Sequence, residues 1–244
     1  NSAKNQLKAY GVFLISVALL TVGGFTIRQN NYLHAKAGSV KDGGVCVDAS
    51  FDLEAKNIVL IGDSRASMYG KMLAELAERL EVNLNIMSVT AGQPVPGEQL
   101  FDDTIAYLSQ ARPDLVIMSA SWTAKHEQVE RHFEQVVDEV TQCTSHMLII
   151  TDTPTLPNNI TRAGIRDDGE VVPVLEPLGE REKREEVIEY LHQFSASNVH
   201  VLDVADLFIT NERYLRFTGE DGKQLWQDPR HLSHRGSELV VPRL

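Results

Sequence analysis

Five short apolar runs, each followed by a stretch of different periodicity, limit the folds open to this chain. They read NIVLI (57–61), LNIMSV (84–89), DLVIMSA (114–120), HMLIIT (146–151) and VHVLDV (199–204). A strand that is apolar on both faces must be covered on both faces, and a helix between successive strands lets them run parallel. The spacing predicts helices over about 66–80, 98–111, 124–142 and 178–196, with a last one starting near Ser233 or Gly236. In the first of these, Met68, Met72, Leu73, Leu76 and Leu80 recur at helical intervals. The expected architecture over residues 57–244 is an α/β fold, a parallel sheet inside a three-layer α/β/α sandwich. Sites in such sheets form at the carboxyl ends of the strands. Chemistry is therefore expected in the loops after residues 61, 89, 120, 151 and 204. Residues 152–177 hold four of the nine prolines and no clear periodicity. They read as a lid, a substrate loop or an insert without a role.

Ahead of that domain, Tyr10 to Ile27 forms an uncharged run of 18 residues. As a helix it would be about 27 Å long, enough for a thin bilayer crossing. A transmembrane helix within residues 1–28 is the expectation. A buried core helix, or a signal peptide cleaved near Ala35-Lys36-Ala37, are the alternatives. Lys4 and Lys8 before the run, against Arg28 after it, favour an N-terminus on the cytoplasmic side. Everything after Arg28 is then expected outside the cytoplasm. The chain begins at Asn1 rather than Met, so this helix is expected to be the last of several in a longer polypeptide. Residues 29–56, polar and carrying Gly38, Gly43 and Gly44, read as a linker.

Charge and cysteine content remove other classes. The 34 acidic side chains against 23 basic ones give a net charge of -11. That balance opposes nucleic acid, whose phosphates need clustered Lys and Arg. Two cysteines, Cys46 and Cys143, cannot build a disulfide-dense scaffold, and neither lies in a Cys/His grouping with zinc spacing. In an oxidising compartment they either pair with each other or remain two buried thiols. No metal is implied. His126 and His132 lie six apart on a polar helix, off the i, i+4 spacing of a metal pair. The charged run 180–189, EREKREEVIE, reads as a solvated helix face.

The loop after the first apolar run reads Gly62-Asp63-Ser64-Arg65-Ala66. A serine at a strand-to-helix turn stands at the carboxyl edge of the sheet, where the helix amides can hold a developing anion. It needs a base to become a nucleophile. Near the C-terminus comes Asp228-Pro229-Arg230-His231-Leu232-Ser233. Asp and His three apart across a turn can join carboxylate to one imidazole nitrogen, leaving the other to take the serine proton. His234 is the rival base, and an N-cap role is the plainer alternative for Ser64.

These blocks resemble those of the SGNH (GDSL-like) hydrolases over residues 57–244. Gly62-Asp63-Ser64 matches the first block. Asp228 and His231, followed by Leu232-Ser233 and Gly236, match the last. The resemblance implies Ser64, His231 and Asp228 as a catalytic triad and the amides of Ser64 and Gly92 as oxyanion-hole donors. The third block departs. Where the family usually carries G-x-N-D, this chain reads Ser119-Ala120-Ser121-Trp122. The asparagine donor is missing or replaced, with Ser121 or a backbone amide as the expected substitute. Together with the membrane segment, the chain looks like the periplasmic tail of bacterial acyltransferase family 3–SGNH fusion proteins.

That narrower resemblance implies an O-acyltransferase, commonly an O-acetyltransferase, acting on a cell-surface glycan such as lipopolysaccharide O-antigen. Its partners would be a membrane acyltransferase part in the same polypeptide, supplied by acetyl-CoA, and a glycan acceptor. The place would be the bacterial inner membrane, with the catalytic domain in the periplasm. No bound cofactor is implied. Arg65, Ser121 and Trp122 are candidates for substrate contact. Arg65 equally suits a solvent-facing role, Trp122 packing against the end of the third strand, and Trp226 a packing role or a platform for a sugar ring. Two other readings share the same residues: a periplasmic carbohydrate esterase, and a degenerate glycan-binding module supported by the absent asparagine.

Overall fold

The computed structural model describes residues 55–90, 92–157 and 173–244, with the backbone of a two-residue hairpin at 166–167 and 170–171. The run 10–27, most of the 29–56 linker and Cys46 lie outside the described residues. Among the described residues no helix is long and apolar enough to cross a membrane.

The elements alternate as the apolar runs dictate. They are β1 (Asn57–Gly62), α1 (Ser64–Leu80), β2 (Asn83–Ser88), α2 (Gln99–Ala111), β3 (Leu115–Ser119), α3 (His126–Thr141) and β4 (His146–Ile150). The short hairpin strands β5 (Arg166–Asp167) and β6 (Glu170–Val171) follow, then α4 (Leu178–His192), β7 (Val199–Leu202) and α5 (His234–Glu238). A parallel sheet of five strands runs in the order β2-β1-β3-β4-β7. β1 lies between β2 and β3, and Gly62 stands level with Ser88 on one side and Ser119 on the other. The loops that leave β1, β2 and β3 therefore start from one line across the sheet edge.

Strand side chains alternate between two cores, one on each face. Val59, Ile61, Val116, Met118, Met147 and Ile149 pack with Phe101 and Leu108 of α2, Val129 and Phe133 of α3, and Val187 and Leu191 of α4. Leu60, Ile86, Ile117 and Ile150 face the other way, against Tyr69, Met72 and Leu73 of α1 and the C-terminal residues Leu225, Trp226, Leu232 and Val240. The three-layer expectation holds for the described residues. The C-terminus differs in extent. α5 has five residues, and much of 205–233 closes the second core with turns and isolated bridges such as Trp226–Leu232. Cys143 is buried beyond the end of α3.

The segment 152–177 is tied at both described ends. The Thr155 amide donates to Glu176 Oε1 (2.8 Å), and Glu176 is locked to Arg184 of α4 in a buried ion pair (2.6 Å). So α4 is not a purely solvated charged face. Arg184, Val187, Ile188 and Leu191 turn inward.

Candidate active site

Ser64 owes its position to its two neighbours. Gly62 has φ +143°, and a Cβ there would lie 1.8 Å from the Ser119 carbonyl oxygen. Only glycine lets the end of β1 turn this close to the end of β3. Asp63 is the N-cap of α1, its Oδ1 accepting from the Arg65 amide at 2.8 Å. The cap is thus Asp63, not Ser64. Ser64 is the first residue of α1, where an amide has no partner within the helix and the positive end of the helix dipole lies.

The C-terminal turn brings the base to it. His231 Nε2 lies 2.9 Å from Ser64 Oγ. On the opposite side of the ring, Nδ1 is 2.8 Å from Asp228 Oδ2 and 3.0 Å from Oδ1. Asp228 Oδ1 also accepts from the amides of Arg230 (2.8 Å) and His231 (2.9 Å), which fixes the carboxylate within its own turn. Partial burial pushes this carboxyl up, but the Arg230 and His231 amides and the imidazole outweigh it and hold it below its ordinary value. The turn is anchored from three directions. Leu156 donates to the Pro229 carbonyl, Ser233 caps α5 by accepting from the Gly236 amide, and Ser237 donates to the Met68 carbonyl in α1. A Cβ at Gly236 would sit 2.1 Å from the Leu225 carbonyl oxygen, so this glycine is needed for the close approach. His234 points elsewhere, its Nε2 3.5 Å from both Glu75 and Glu238. Those three side chains could hold a metal ion at the surface, between α1 and α5.

The floor beside Ser64 differs from expectation in three respects. The Gly92 amide, expected at the oxyanion hole, donates to the Val89 carbonyl at 2.9 Å and closes a turn after β2. Arg65 neither faces solvent nor offers itself to a substrate. It is 5% exposed, with Nη1 on Thr153 Oγ1 (2.8 Å) and Nε 3.8 Å from Asp152 Oδ1. Its helical position explains this, because Arg65, Tyr69, Met72 and Leu73 share the inward face of α1. Trp122 is 1% exposed, donates its indole N–H to the Ile150 carbonyl (2.8 Å) and meets Phe133 edge to face. It has no free face for a sugar. Trp226 is likewise packed, its N–H on the Arg216 carbonyl.

Ser121 stands at the missing asparagine's place, partly exposed, but its amide is committed to Asp63 Oδ2 (2.9 Å). That carboxylate, 2% exposed, also receives Lys125 Nζ. The same ammonium donates to the Gly92 carbonyl at 2.6 Å. Lys125 therefore ties the loops after β1, β2 and β3 together, a role that sequence reasoning missed. The sequence offered only a lysine at the entry of a polar helix, 62 residues from Asp63. Asp152 extends the network, with Oδ2 accepting from the Thr123 amide (2.6 Å) and hydroxyl (2.7 Å). Burial pushes the Asp152 carboxyl up, against the pull of Arg65 and Thr123. Asp152 Oδ1, Arg65 Nε and the Tyr69 hydroxyl are buried without a hydrogen-bond partner.

The chain resembles known proteins throughout this region. A family model for SGNH domains fused to AT3 domains matches residues 31–244. Among solved structures, the periplasmic domain of a lipopolysaccharide acetyltransferase from Salmonella ser. Paratyphi A is similar with a TM-score of 0.64 and 14% identity, covering 78% of this chain and 82% of that one. The lipase Lip_vut3 from a goat rumen metagenome follows at TM-score 0.48 and 11% identity, covering 78% and 95%. A family 3 carbohydrate esterase from Clostridium thermocellum has TM-score 0.45 and 11% identity, covering 78% and 92%. No curated protein matches in sequence.

Proposed function

From the premise that this chain belongs to the SGNH domains fused to AT3 domains, we propose that it is an O-acyltransferase of cell-surface carbohydrate. The group transferred is an acetyl, and the acceptor is a sugar hydroxyl such as one of lipopolysaccharide O-antigen. The reaction takes place in the periplasm. An AT3 membrane part of the same polypeptide delivers the acyl group from acetyl-CoA. One observation carries the reading: Ser64, His231 and Asp228 stand in hydrogen-bonded line at the edge of the sheet.

The steps follow from that line. Neutral His231 takes the Ser64 proton at Nε2 as Oγ bonds to the acyl carbon of the donor. The Ser64 amide, at the positive end of α1, faces the negative charge that grows on the acyl oxygen. Collapse breaks the bond to the donor's leaving group, which receives the proton from His231 and leaves acyl-Ser64. The sugar hydroxyl then gives its proton to His231 and attacks the acyl carbon, releasing Ser64, which regains the proton. Asp228 holds the tautomer and stabilises the imidazolium in both halves. A second reading rests on the openness of the triad, where Asp228 and His231 are partly exposed. Water reaching acyl-Ser64 would make the domain an esterase.

The test is surface acylation in cells carrying the full polypeptide with Ser64→Ala. Transfer predicts loss of acetyl from the glycan, restored by wild type. Wild-type acetylation in the variant overturns the mechanism. Free acetate without acetylated glycan from the wild type favours the esterase, and a folded protein that binds glycan without either product favours a binding module.

A further inference from the structure

We propose that Lys125 is the positioning residue that replaces the missing asparagine, acting by charge through Asp63 and Gly92 rather than by donating to the acyl oxygen. The inference rests on the acyl-Ser64 reading and names what completes its oxyanion side.

Asp63 is the immediate neighbour of the nucleophile and nearly inaccessible to water. Its Oδ1 is taken by the Arg65 amide, and its Oδ2 by the Ser121 amide and Lys125. An ionised carboxylate this close to Ser64 opposes the charge that develops when the acyl oxygen becomes an anion. Asp63 is itself screened from solvent, which strengthens that opposition. Lys125, 13% exposed, cancels it in place. Asp63 cannot simply be dispensed with, since it caps α1 and so presents Ser64.

The second contact fixes a loop. Lys125 Nζ on the Gly92 carbonyl, at 2.6 Å, holds the turn after β2 against the turn after β1. Gly92 is expected to help line the oxyanion hole, and its amide is engaged with Val89. A loop pinned by its carbonyl can release and re-form that amide bond without drifting from Ser64. The usual asparagine contributes a side-chain donor from the loop after β3. Here that loop contributes a cation from the next helical turn, reaching back across the sheet edge.

The test compares Lys125→Met, Lys125→Gln and Lys125→Arg with wild type in the detergent-solubilised chain. Hydrolysis of p-nitrophenyl acetate and the rate of Ser64 labelling by a fluorophosphonate are measured, with melting temperature beside them. Loss of one oxyanion-hole donor costs on the order of 100–1000-fold, and a group acting through others should cost less, about 10–100-fold in kcat. Lys125→Met and Lys125→Gln are expected to show that loss with KM changed less than about twofold, the signature of an interaction made in the transition state. Lys125→Arg should recover most of it. Both uncharged variants turning over like wild type overturns the proposal. So does a loss that tracks melting temperature and is not relieved by arginine, which marks a purely structural role. If wild type is neither labelled nor active, both this proposal and the acyl-Ser64 reading fall. A labelled wild type with unaffected Lys125 variants removes this one alone.

Discussion

The two sides of Ser64 are built in opposite ways. On one side stand His231 and Asp228, partly exposed, three residues apart and held by the backbone of their own turn. On the other lie Asp63, Ser121, Lys125, Asp152 and Arg65, drawn from three segments and mostly buried. The first side is a compact device that any docking of the C-terminal turn onto α1 delivers. The second is a network in which each charge depends on a partner far away in sequence. The triad can therefore be disabled without touching the fold, whereas the fully buried members of the other side, Arg65, Asp152 and Trp122, cannot be cut without unsettling it.

The largest effect should come from removing the nucleophile or the base of the triad. Ser64→Ala or His231→Ala is expected to lower kcat on the order of a millionfold if the three groups act as a unit, with an unchanged melting curve. A large fall in melting temperature would show that the triad side also carries the fold and would erase the contrast. Asp228→Asn should come next, at about 10,000-fold in kcat, because an amide orients the imidazole in the wrong tautomer.

Cutting the buried packing around the floor should read out as stability instead. Trp122→Ala removes a fully buried ring that packs on Phe133 and bonds the Ile150 carbonyl, and should cost about 3–5 kcal/mol in denaturant unfolding. Tyr69→Phe should go the other way. Its hydroxyl is buried without a hydrogen-bond partner, and burial holds its pKa well above the ordinary value. Removing it should stabilise the protein by about 1 kcal/mol. The smallest effect is electrostatic. Asp228 is held below the ordinary carboxylate value, so its ionised form stabilises the fold at neutral pH. That contribution is present above the ordinary carboxylate range and lost as pH falls through the folded value. The stability difference between wild type and Asp228→Asn should therefore shrink in acid below about pH 4, measured by thermal melts across pH.

The triad side was legible in the sequence because its information is local. Gly62-Asp63-Ser64 needs one strand and one helix start, and Asp228 to His231 needs one turn. The sheet was legible for a related reason. Apolar runs such as LVIMS in β3 feed both cores in alternation, and a chain can bury them only between two helical layers. The floor resisted because its partners meet across 62 residues for Lys125 and Asp63, and 88 for Arg65 and Thr153. Arg65 carried a signal that was available, its place on the same stripe as Tyr69 and Met72. Its charge argued for solvent, and the buried Asp152 overruled it. Trp122 beside Ser121 could have been a platform or a core residue. The Phe133 ring and the Ile150 carbonyl, which decide between them, lie on other elements.

The most direct test of a covalent Ser64 is the intact mass of the detergent-solubilised chain after brief exposure to p-nitrophenyl acetate, with Ser64→Ala alongside. An acetyl adduct on wild type, mapped to Ser64 and absent from the variant, is the predicted result. Equal modification of both proteins, or none of wild type together with no ester turnover, would contradict it.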